Sequence, residues 1–143
     1  QRSTALFKLL DTDNNGLVDA IEFVCTLACT SGMSATETLG FVLGCYDFDG
    51  TGRLTIDEIT LAFKSTVTGM CKLEGGRNGV CPRDTEFEAA AIDIFESRTG
   101  SDKFKVKVLD VIDYCCEQPE IRSWLDFFDD AAEENVVGDA EDA

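Results

Sequence analysis

The chain has no histidine and few basic residues, and these two shortages narrow what it can do. Lysine and arginine together number 12, against 28 aspartates and glutamates, so the formal net charge of the 143 residues is −16. Because this charge would repel a phosphate polymer, we expect no nucleic-acid partner. The sequence also lacks a nucleophile motif and a phosphate-binding loop, so we expect no enzyme activity.

Long apolar runs are missing as well. No stretch reaches the length needed to span a membrane, and the first residues do not resemble a signal peptide. The seven cysteines are odd in number and irregularly spaced, which fits a reducing compartment better than a disulfide framework. We therefore expect a cytoplasmic protein without a transmembrane segment. Because the first residue is Gln1, we also expect further residues upstream.

The chain does have two twelve-residue segments in which oxygen-bearing side chains alternate with other residues. Loop 1 (residues 11–22) reads DTDNNGLVDAIE, and loop 2 (residues 47–58) reads DFDGTGRLTIDE. Calcium takes six to eight oxygen ligands, so a short loop must supply alternating carboxylates, one backbone carbonyl and a bidentate acid. Glycine at the sixth position, Gly16 or Gly52, permits the positive φ that folds the loop over an ion. Two matches in one chain favour EF-hand calcium loops over acidic surface turns.

This pattern assigns one Ca²⁺ ion to each loop, two ions in all. The ligands are the side chains at the first, third, fifth, ninth and twelfth positions and the carbonyl at the seventh, with the ninth acting through water. The predicted ligands of loop 1 are Asp11, Asp13, Asn15, Leu17, Asp19 and Glu22. Those of loop 2 are Asp47, Asp49, Thr51, Arg53, Thr55 and Glu58. At the eighth position, Val18 and Leu54 should each form a short strand that pairs with another loop.

Apolar residues at helical spacing flank both loops, so the expected fold class is all-α, with EF-hand helix-loop-helix units and short β-bridges between loops. Capping boxes predict a helix start at Ser34, with Glu37, and another at Asp84 or Thr85, where Thr85 and Glu88 would form the box. We expect residues 1–68 to form the two calcium-binding hands and residues 69–84 a glycine-rich linker. Residues 85–130 should form a degenerate hand and a C-terminal helix, followed by an acidic tail over residues 131–143.

The same spacing predicts which apolar side chains face the core. Around loop 1 they are Leu6, Phe7, Leu10, Ile21, Phe23, Val24, Leu27 and Ala28. Around loop 2 they are Leu39, Val42, Leu43, Tyr46, Ile59, Ala62, Phe63, Val67 and Met70. In the next helix they are Phe87, Ala91, Ile94 and Phe95.

A third loop follows around Phe104, where the ligand pattern is broken. Phe104 should occupy the strand position, but acids are missing at the third and fifth positions. The twelfth position falls on Lys107 or Val108, and neither side chain can supply a bidentate carboxylate. We therefore expect this loop to bind no calcium and to act as a packing partner, with an exit helix from Val106 to Cys116.

The segment YDFDGTGRLTIDE (residues 46–58), the long insertion before Phe87 and the closing segment PEIRSWLDFF (residues 119–128) carry a family resemblance. Over about residues 5–130 the chain resembles the neuronal calcium sensor and calaxin-like branch of the EF-hand superfamily. The resemblance implies four hands in two pairs, with loops 1 and 2 in the second and third hands and the Phe104 loop in the fourth. The strand of Val18 would then need a missing upstream hand, a second copy of the chain or loop 2 as its partner. We favour pairing of loop 2 with the degenerate third loop over direct pairing of loops 1 and 2.

The leading hypothesis for function is a calcium sensor or regulatory module that binds a protein partner, such as an amphipathic helix, when calcium is present. Calcium would expose a groove formed by Phe23, Leu39, Val42, Phe63 and Met70. The alternative is a calcium-stabilised structural domain of a larger cytoskeletal or axonemal assembly, with residues 124–128 docked permanently. That reading adds a ciliary or cytoskeletal location to the cytoplasmic one. A passive calcium buffer, whose helices barely move, is a third reading.

Overall fold

The computed structural model of the protein describes residues 2–11, 14–73, 81–98, 100 and 104–125. The elements in chain order are α1 (Arg2–Leu10), α2 (Ala20–Cys29), α3 (Ala35–Tyr46), β1 (Arg53–Leu54), α4 (Ile56–Leu73), α5 (Asp84–Arg98), β2 (Val106–Lys107) and α6 (Val108–Glu117). A further helix, α7, is described over residues 119–125. The predicted all-α class with a short β-bridge is confirmed. Among the described residues, no helix is both long and apolar enough to cross a bilayer.

Local capping bonds explain where two helices begin. Asp19 accepts from the backbone N–H of Glu22 at 2.8 Å, and the Glu22 carboxylate accepts from the N–H of Asp19 at 3.1 Å. The predicted capping box of Ser34 and Glu37 is present before α3. Each box satisfies two backbone donors that have no partner within the helix.

The predicted capping box of Thr85 and Glu88 is wrong. Helix α5 begins at Asp84, so Thr85 already lies inside its first turn. Instead, the backbone N–H of Arg83 donates to the carboxylate of Glu86 at 2.7 Å. Glu86 therefore fills the acidic position three residues after Arg83, two residues earlier in the chain than the predicted Glu88.

The core lies among α3, α4, α5 and α6, with α4 packed against both α3 and α5 and α3 against α6. Its largest fully buried side chains come from α3, α4, α5, α7 and both strands. They are Phe63, Phe87, Leu39, Leu43, Leu54, Ile59, Ile94, Leu125, Val42, Val67 and Val106. The predicted inward residues of α3, α4 and α5 are therefore buried, except that Phe95 is half-buried and the side chain of Met70 lies outside the described part.

Helix α7 closes this core through one aromatic cluster. The Trp124 ring meets Phe63 at a centroid distance of 6.3 Å and Phe87 at 5.5 Å, with interplanar angles of 82° and 83°. These edge-to-face contacts are the arrangement that aromatic quadrupoles favour. Ile121 and Leu125 of the same helix are buried beside them. The C-terminal helix is thus part of the packed core, and residues 126–128 of the predicted segment lie outside the described residues.

Strands β1 and β2 pair antiparallel, with Leu54 opposite Val106 and Arg53 opposite Lys107. The favoured pairing of loop 2 with the degenerate third loop is confirmed. The prediction that Phe104 holds the strand position is wrong, because Phe104 is 79% exposed and the strand lies two residues later. The exit helix accordingly starts at Val108 and not at Val106.

The outward faces of α1 and α2 also differ from the prediction. Leu6 and Phe7 are exposed on α1, and Phe23, Val24 and Leu27 are exposed on α2. Ala28 is buried as predicted, but the other buried positions of α2 are Glu22, Cys25 and Thr26, and the helical spacing of these four residues defines the face turned toward α3 and α4. The apolar residues of α2 therefore did not predict its buried face, because the face that packs against α3 and α4 contains polar side chains.

The predicted linker is shorter than expected at its start. Helix α4 continues to Leu73, five residues past the expected end of the second hand at residue 68. Residues 74–80 lie outside the described part of the chain, and α5 begins at Asp84. The division of the chain into four regions stays a prediction.

Replacing Trp124 by alanine should lower the free energy of unfolding by about 2–3 kcal/mol, because it removes the ring that joins Phe63 and Phe87. Urea denaturation followed by circular dichroism would measure this change, since Trp124 is the only tryptophan and fluorescence would be lost with it. Phe104→Ala is the control, because that ring is exposed and its loss should change stability by less than about 0.5 kcal/mol. Equal effects of the two substitutions would contradict the packing role of α7.

Candidate calcium-binding loops

All six predicted ligands of loop 2 are described, and three elements position them. Asp47 is the C-cap residue of α3, Arg53 lies in β1, and Glu58 lies in the first turn of α4. The Asp47 carboxylate accepts from the backbone N–H of Gly52 at 2.7 Å and from that of Thr51 at 3.1 Å. These bonds draw the two halves of the loop together around its sixth residue.

The far end of loop 2 is fixed by Thr55 and Glu58. The Glu58 carboxylate accepts from the Thr55 backbone N–H at 2.8 Å and from its hydroxyl at 3.0 Å. The N–H of Glu58 donates back to the Thr55 hydroxyl at 3.3 Å, which completes a capping box. The ninth and twelfth ligand positions are therefore also the start of α4, so the binding loop and the helix share residues.

Loop 1 has two of these features at the same positions. The Asp11 carboxylate accepts from the N–H of Gly16 at 3.1 Å, as Asp47 does from Gly52. The capping box of Asp19 and Glu22 corresponds to that of Thr55 and Glu58. Asp11, Asn15, Leu17, Asp19 and Glu22 are described, whereas Asp13 lies outside the described residues, and the ligand roles stay predictions.

The backbone φ angles also agree between loops 1 and 2. The predicted positive φ at the sixth position is confirmed, with 84° at Gly16 and 69° at Gly52. A second left-handed residue, missed from the sequence, stands at the fourth position, where φ is 59° for Asn14 and 66° for Gly50. Asparagine and glycine are the residues that adopt this conformation most readily, so the residue types were a signal that could have been used. The described parts of the two loops therefore share two left-handed positions at the same places in the pattern.

The two loops differ in burial. Asp11 and Glu22 at the ends of loop 1 are buried, whereas Asp49 of loop 2 is exposed and Glu58 half-buried. Burial of a carboxylate is unfavourable unless hydrogen bonds or positive charge compensate it. The donor set in both loops consists of oxygen atoms, which fits a hard cation such as calcium.

A lysine from outside loop 2 reaches one of its predicted ligands. The Lys105 ammonium forms an ion pair with the Asp49 carboxylate, whose other oxygen accepts from the Thr51 hydroxyl at 2.7 Å. The Lys105 contact, followed by the Thr51 bond, holds the pKa of Asp49 well below its usual range. Sequence reasoning missed Lys105, because it lies 56 residues from Asp49 in the chain.

Among the described residues, no three acidic or cysteine side chains stand close enough together to hold a metal ion in their present positions. The hydrogen bonds explain this, because Asp47, Asp49 and Glu58 each direct carboxylate oxygens to donors of the protein itself. An incoming cation would have to replace part of these bonds. Calcium binding by the predicted ligands would therefore require local movement of these side chains.

The strand register corrects the alignment of the third loop. Since Val106 pairs with Leu54 at the eighth position, counting along the chain puts the first position at Thr99 and the twelfth at Asp110. The predicted twelfth position, Lys107 or Val108, is therefore wrong. The third and fifth positions become Ser101 and Lys103, and lysine also stands at the ninth.

The surroundings of this loop disfavour a cation. A pocket of about 150 Å³ beside it is lined by Gly100, Val106 and five charged residues, of which four are basic and one is acidic, namely Arg53, Arg98, Lys105, Lys107 and Asp110. A divalent cation would be repelled by most of these side chains. That the third loop binds no calcium stays a prediction. The reason for it is now the basic residues around the loop, because the twelfth position is in fact occupied by an acid, Asp110.

The buried cysteines are poor nucleophiles. Burial raises the pKa of the Cys25 thiol to about 12 and that of Cys115 to about 12, so both are protonated at neutral pH. The thiolate is the reactive form, and these environments suppress it. These two cysteines act as small core residues.

No protein-family model matches the chain. Calcium-binding protein J of Dictyostelium discoideum is 41% identical over 54 residues, covering 38% of this chain and 28% of that protein. A recoverin family protein of the same organism is 37% identical over 59 residues, covering 41% of this chain and 26% of that protein. A calcium-binding protein K-like protein of that organism is 30% identical over 118 residues, covering 79% of this chain and 62% of that protein. The chain therefore spans less than two thirds of the length of each of these relatives.

Gly52→Ala should lower the free energy of unfolding by about 1–2 kcal/mol, because alanine is strained at the φ of 69° that this position requires. Gly44→Ala in α3 is the matched control, since a Cβ there meets nothing within 4 Å and alanine favours the helix. The control should keep or raise stability. Thermal unfolding in a chelating buffer would compare them, and a neutral Gly52→Ala would contradict the loop geometry.

Proposed function

We infer that the chain is a protein of the EF-hand superfamily, and we propose that it binds one Ca²⁺ ion in loop 1 and one in loop 2 as a regulatory module without catalysis. The observation that carries this proposal is the repetition of the same hydrogen bonds and the same left-handed positions in both loops. The similarity to calcium-binding and recoverin family proteins of Dictyostelium discoideum supports it. The closer assignment to the neuronal calcium sensor and calaxin-like branch is part of the proposal.

The predicted ligands suggest what the ion would do in each loop. Loops 1 and 2 each contain four acidic residues, and a divalent ion would offset part of their mutual repulsion. Glu22 and Glu58 would supply the bidentate carboxylate, and both also cap the helix that follows. Ligand and cap are thus the same side chain, so a change at the ion site would be transmitted directly to α2 or α4.

A protein partner would bind apolar surface that is exposed or rearranged when the ion site changes the position of α2 or α4. Three members of the predicted groove, Leu39, Val42 and Phe63, are buried, so a partner could reach them only after α3 and α4 move apart. Phe23, by contrast, is already 46% exposed, with Val24 and Leu27 exposed on the same helix. Exposed apolar side chains grouped on one helix are typical of interaction surfaces. We propose that an amphipathic helix of a partner protein binds across α2 and the groove opened beside α3.

The packing of α7 favours a second candidate, a calcium-stabilised structural domain within a larger assembly. Trp124 is held between Phe63 and Phe87, which are side chains of the region that a sensor would open. If this contact persists in calcium, α7 occupies the groove permanently and the ion serves stability. The position of α7 with and without calcium therefore separates the two candidates.

Glu58→Gln should weaken calcium binding at loop 2 by about tenfold or more, because it removes the charge and one strong oxygen of the bidentate ligand. Isothermal titration calorimetry would resolve one weakened and one unchanged site, and Glu22→Gln should do the same for loop 1. Asp57→Asn is the matched control, since it removes a neighbouring charge at an exposed position that is not a predicted ligand. Two unaltered sites in a Glu22→Gln, Glu58→Gln double variant would contradict the ligand assignment.

Calcium should increase the binding of a hydrophobic dye and shift the fluorescence of Trp124, because a sensor exposes apolar surface and α7 contacts that surface. The change should reverse when a chelator is added. A structural domain would instead show its lowest dye binding in calcium and unfold when chelated. Circular dichroism under the same conditions distinguishes a helix movement from unfolding.

A further inference from the structure

The Lys105 ammonium forms an ion pair with Asp49, the predicted ligand at the third position of loop 2. The lysine belongs to the degenerate third loop, immediately before β2. Its side chain is only 22% exposed, whereas that of Asp49 is 51% exposed. The contact therefore brings a positive charge from one loop onto a carboxylate that the neighbouring loop would use for its ion.

Strand pairing holds Lys105 in this place. Val106, the next residue, pairs with Leu54, and the backbone N–H of Val108 donates to the carbonyl of Gly52 at 3.0 Å. Leu54 and Val106 are both fully buried, so the register cannot shift by one residue without exposing them. Lys105 is thus fixed at its Cα beside loop 2, and only its flexible side chain can move.

The charges around Lys105 extend beyond Asp49. The backbone N–H of Thr51 donates to the carboxylate of Asp47 at 3.1 Å and to that of Asp49 at 3.3 Å, so the predicted ligands at the first and third positions share one donor. The Lys105 ammonium therefore lies at the group of carboxylates that a calcium ion in loop 2 would use.

We propose that Lys105 is a built-in competitor for the cation of loop 2, which lowers the calcium affinity of that loop and leaves Asp49 when the ion binds. This inference rests on the proposed calcium binding. A lysine ammonium and a divalent ion repel each other, and both are attracted to the same carboxylates. Lysine is suited to the role because its charge is carried at the end of a flexible chain that can move into water.

This role gives the degenerate loop a function although it lacks the ligands for calcium. The loop sets the affinity of its partner through Lys105. When an ion enters loop 2, release of the lysine removes one of the contacts between loop 2 and the segment before β2. Calcium binding in loop 2 would thereby affect β2 and α6, although no ion binds the third loop.

The test is a titration of loop 2 alone, in the full chain carrying Glu22→Gln to weaken loop 1. Lys105→Gln should tighten calcium binding by about two- to fivefold relative to Lys107→Gln, which removes the same charge from the same segment. Lys105→Arg keeps the charge and should stay near the parent affinity. An affinity for Lys105→Gln equal to or weaker than that of Lys107→Gln overturns the proposal.

A second readout follows the amine itself. Acetylation with a lysine reagent, quantified by mass spectrometry, should increase several-fold at Lys105 when calcium is added and change little at Lys107. Equal labelling of Lys105 with and without calcium would show that the lysine does not leave, and would also overturn the proposal. If loop 2 of the parent and of every variant binds no calcium, the proposed function fails first, and this inference fails with it.

Discussion

The antiparallel pairing of Leu54 with Val106 is the contact on which the rest of the described structure depends. Both side chains are fully buried, and the strands that carry them connect loop 2 to the degenerate loop. Through this bridge α3 and α4 share one core with α5 and α6. That shared core provides the aromatic surface on which Trp124 packs, and it places Lys105 beside loop 2.

The described parts of loops 1 and 2 share local hydrogen bonds but lie in different surroundings. Both have the same bond from the sixth residue to the first carboxylate, and both have a capping box at their far end. Loop 2 is joined to a partner loop and is contacted by a lysine from it. Loop 1 lies between two helices whose apolar side chains are exposed, including Phe7 and Phe23. The proposed roles follow this difference, with affinity control at loop 2 and partner binding beside loop 1.

Local patterns predicted the local geometry, and long-range packing caused the errors. The positive φ of the sixth-position glycines and the Ser34 capping box were predicted correctly because each depends on residues within one turn or loop. The loop pattern alone placed Phe104 at the strand position, whereas the register with Leu54 puts Val106 there. Phe23 was expected inside because it is apolar, but the face of α2 that meets α3 and α4 contains Glu22 and Thr26.

By itself the sequence determined which oxygen-bearing side chains stand in each loop and in what order, because a twelve-residue loop contains all its own predicted ligands. It also determined that helices flank each loop, since apolar spacing and caps act locally. Only the tertiary structure decided which loops pair, which face of α2 is covered and which cation meets Asp49. The Lys105 contact joins residues 56 positions apart, and such a contact exists only because strand register and helix packing bring two distant segments together.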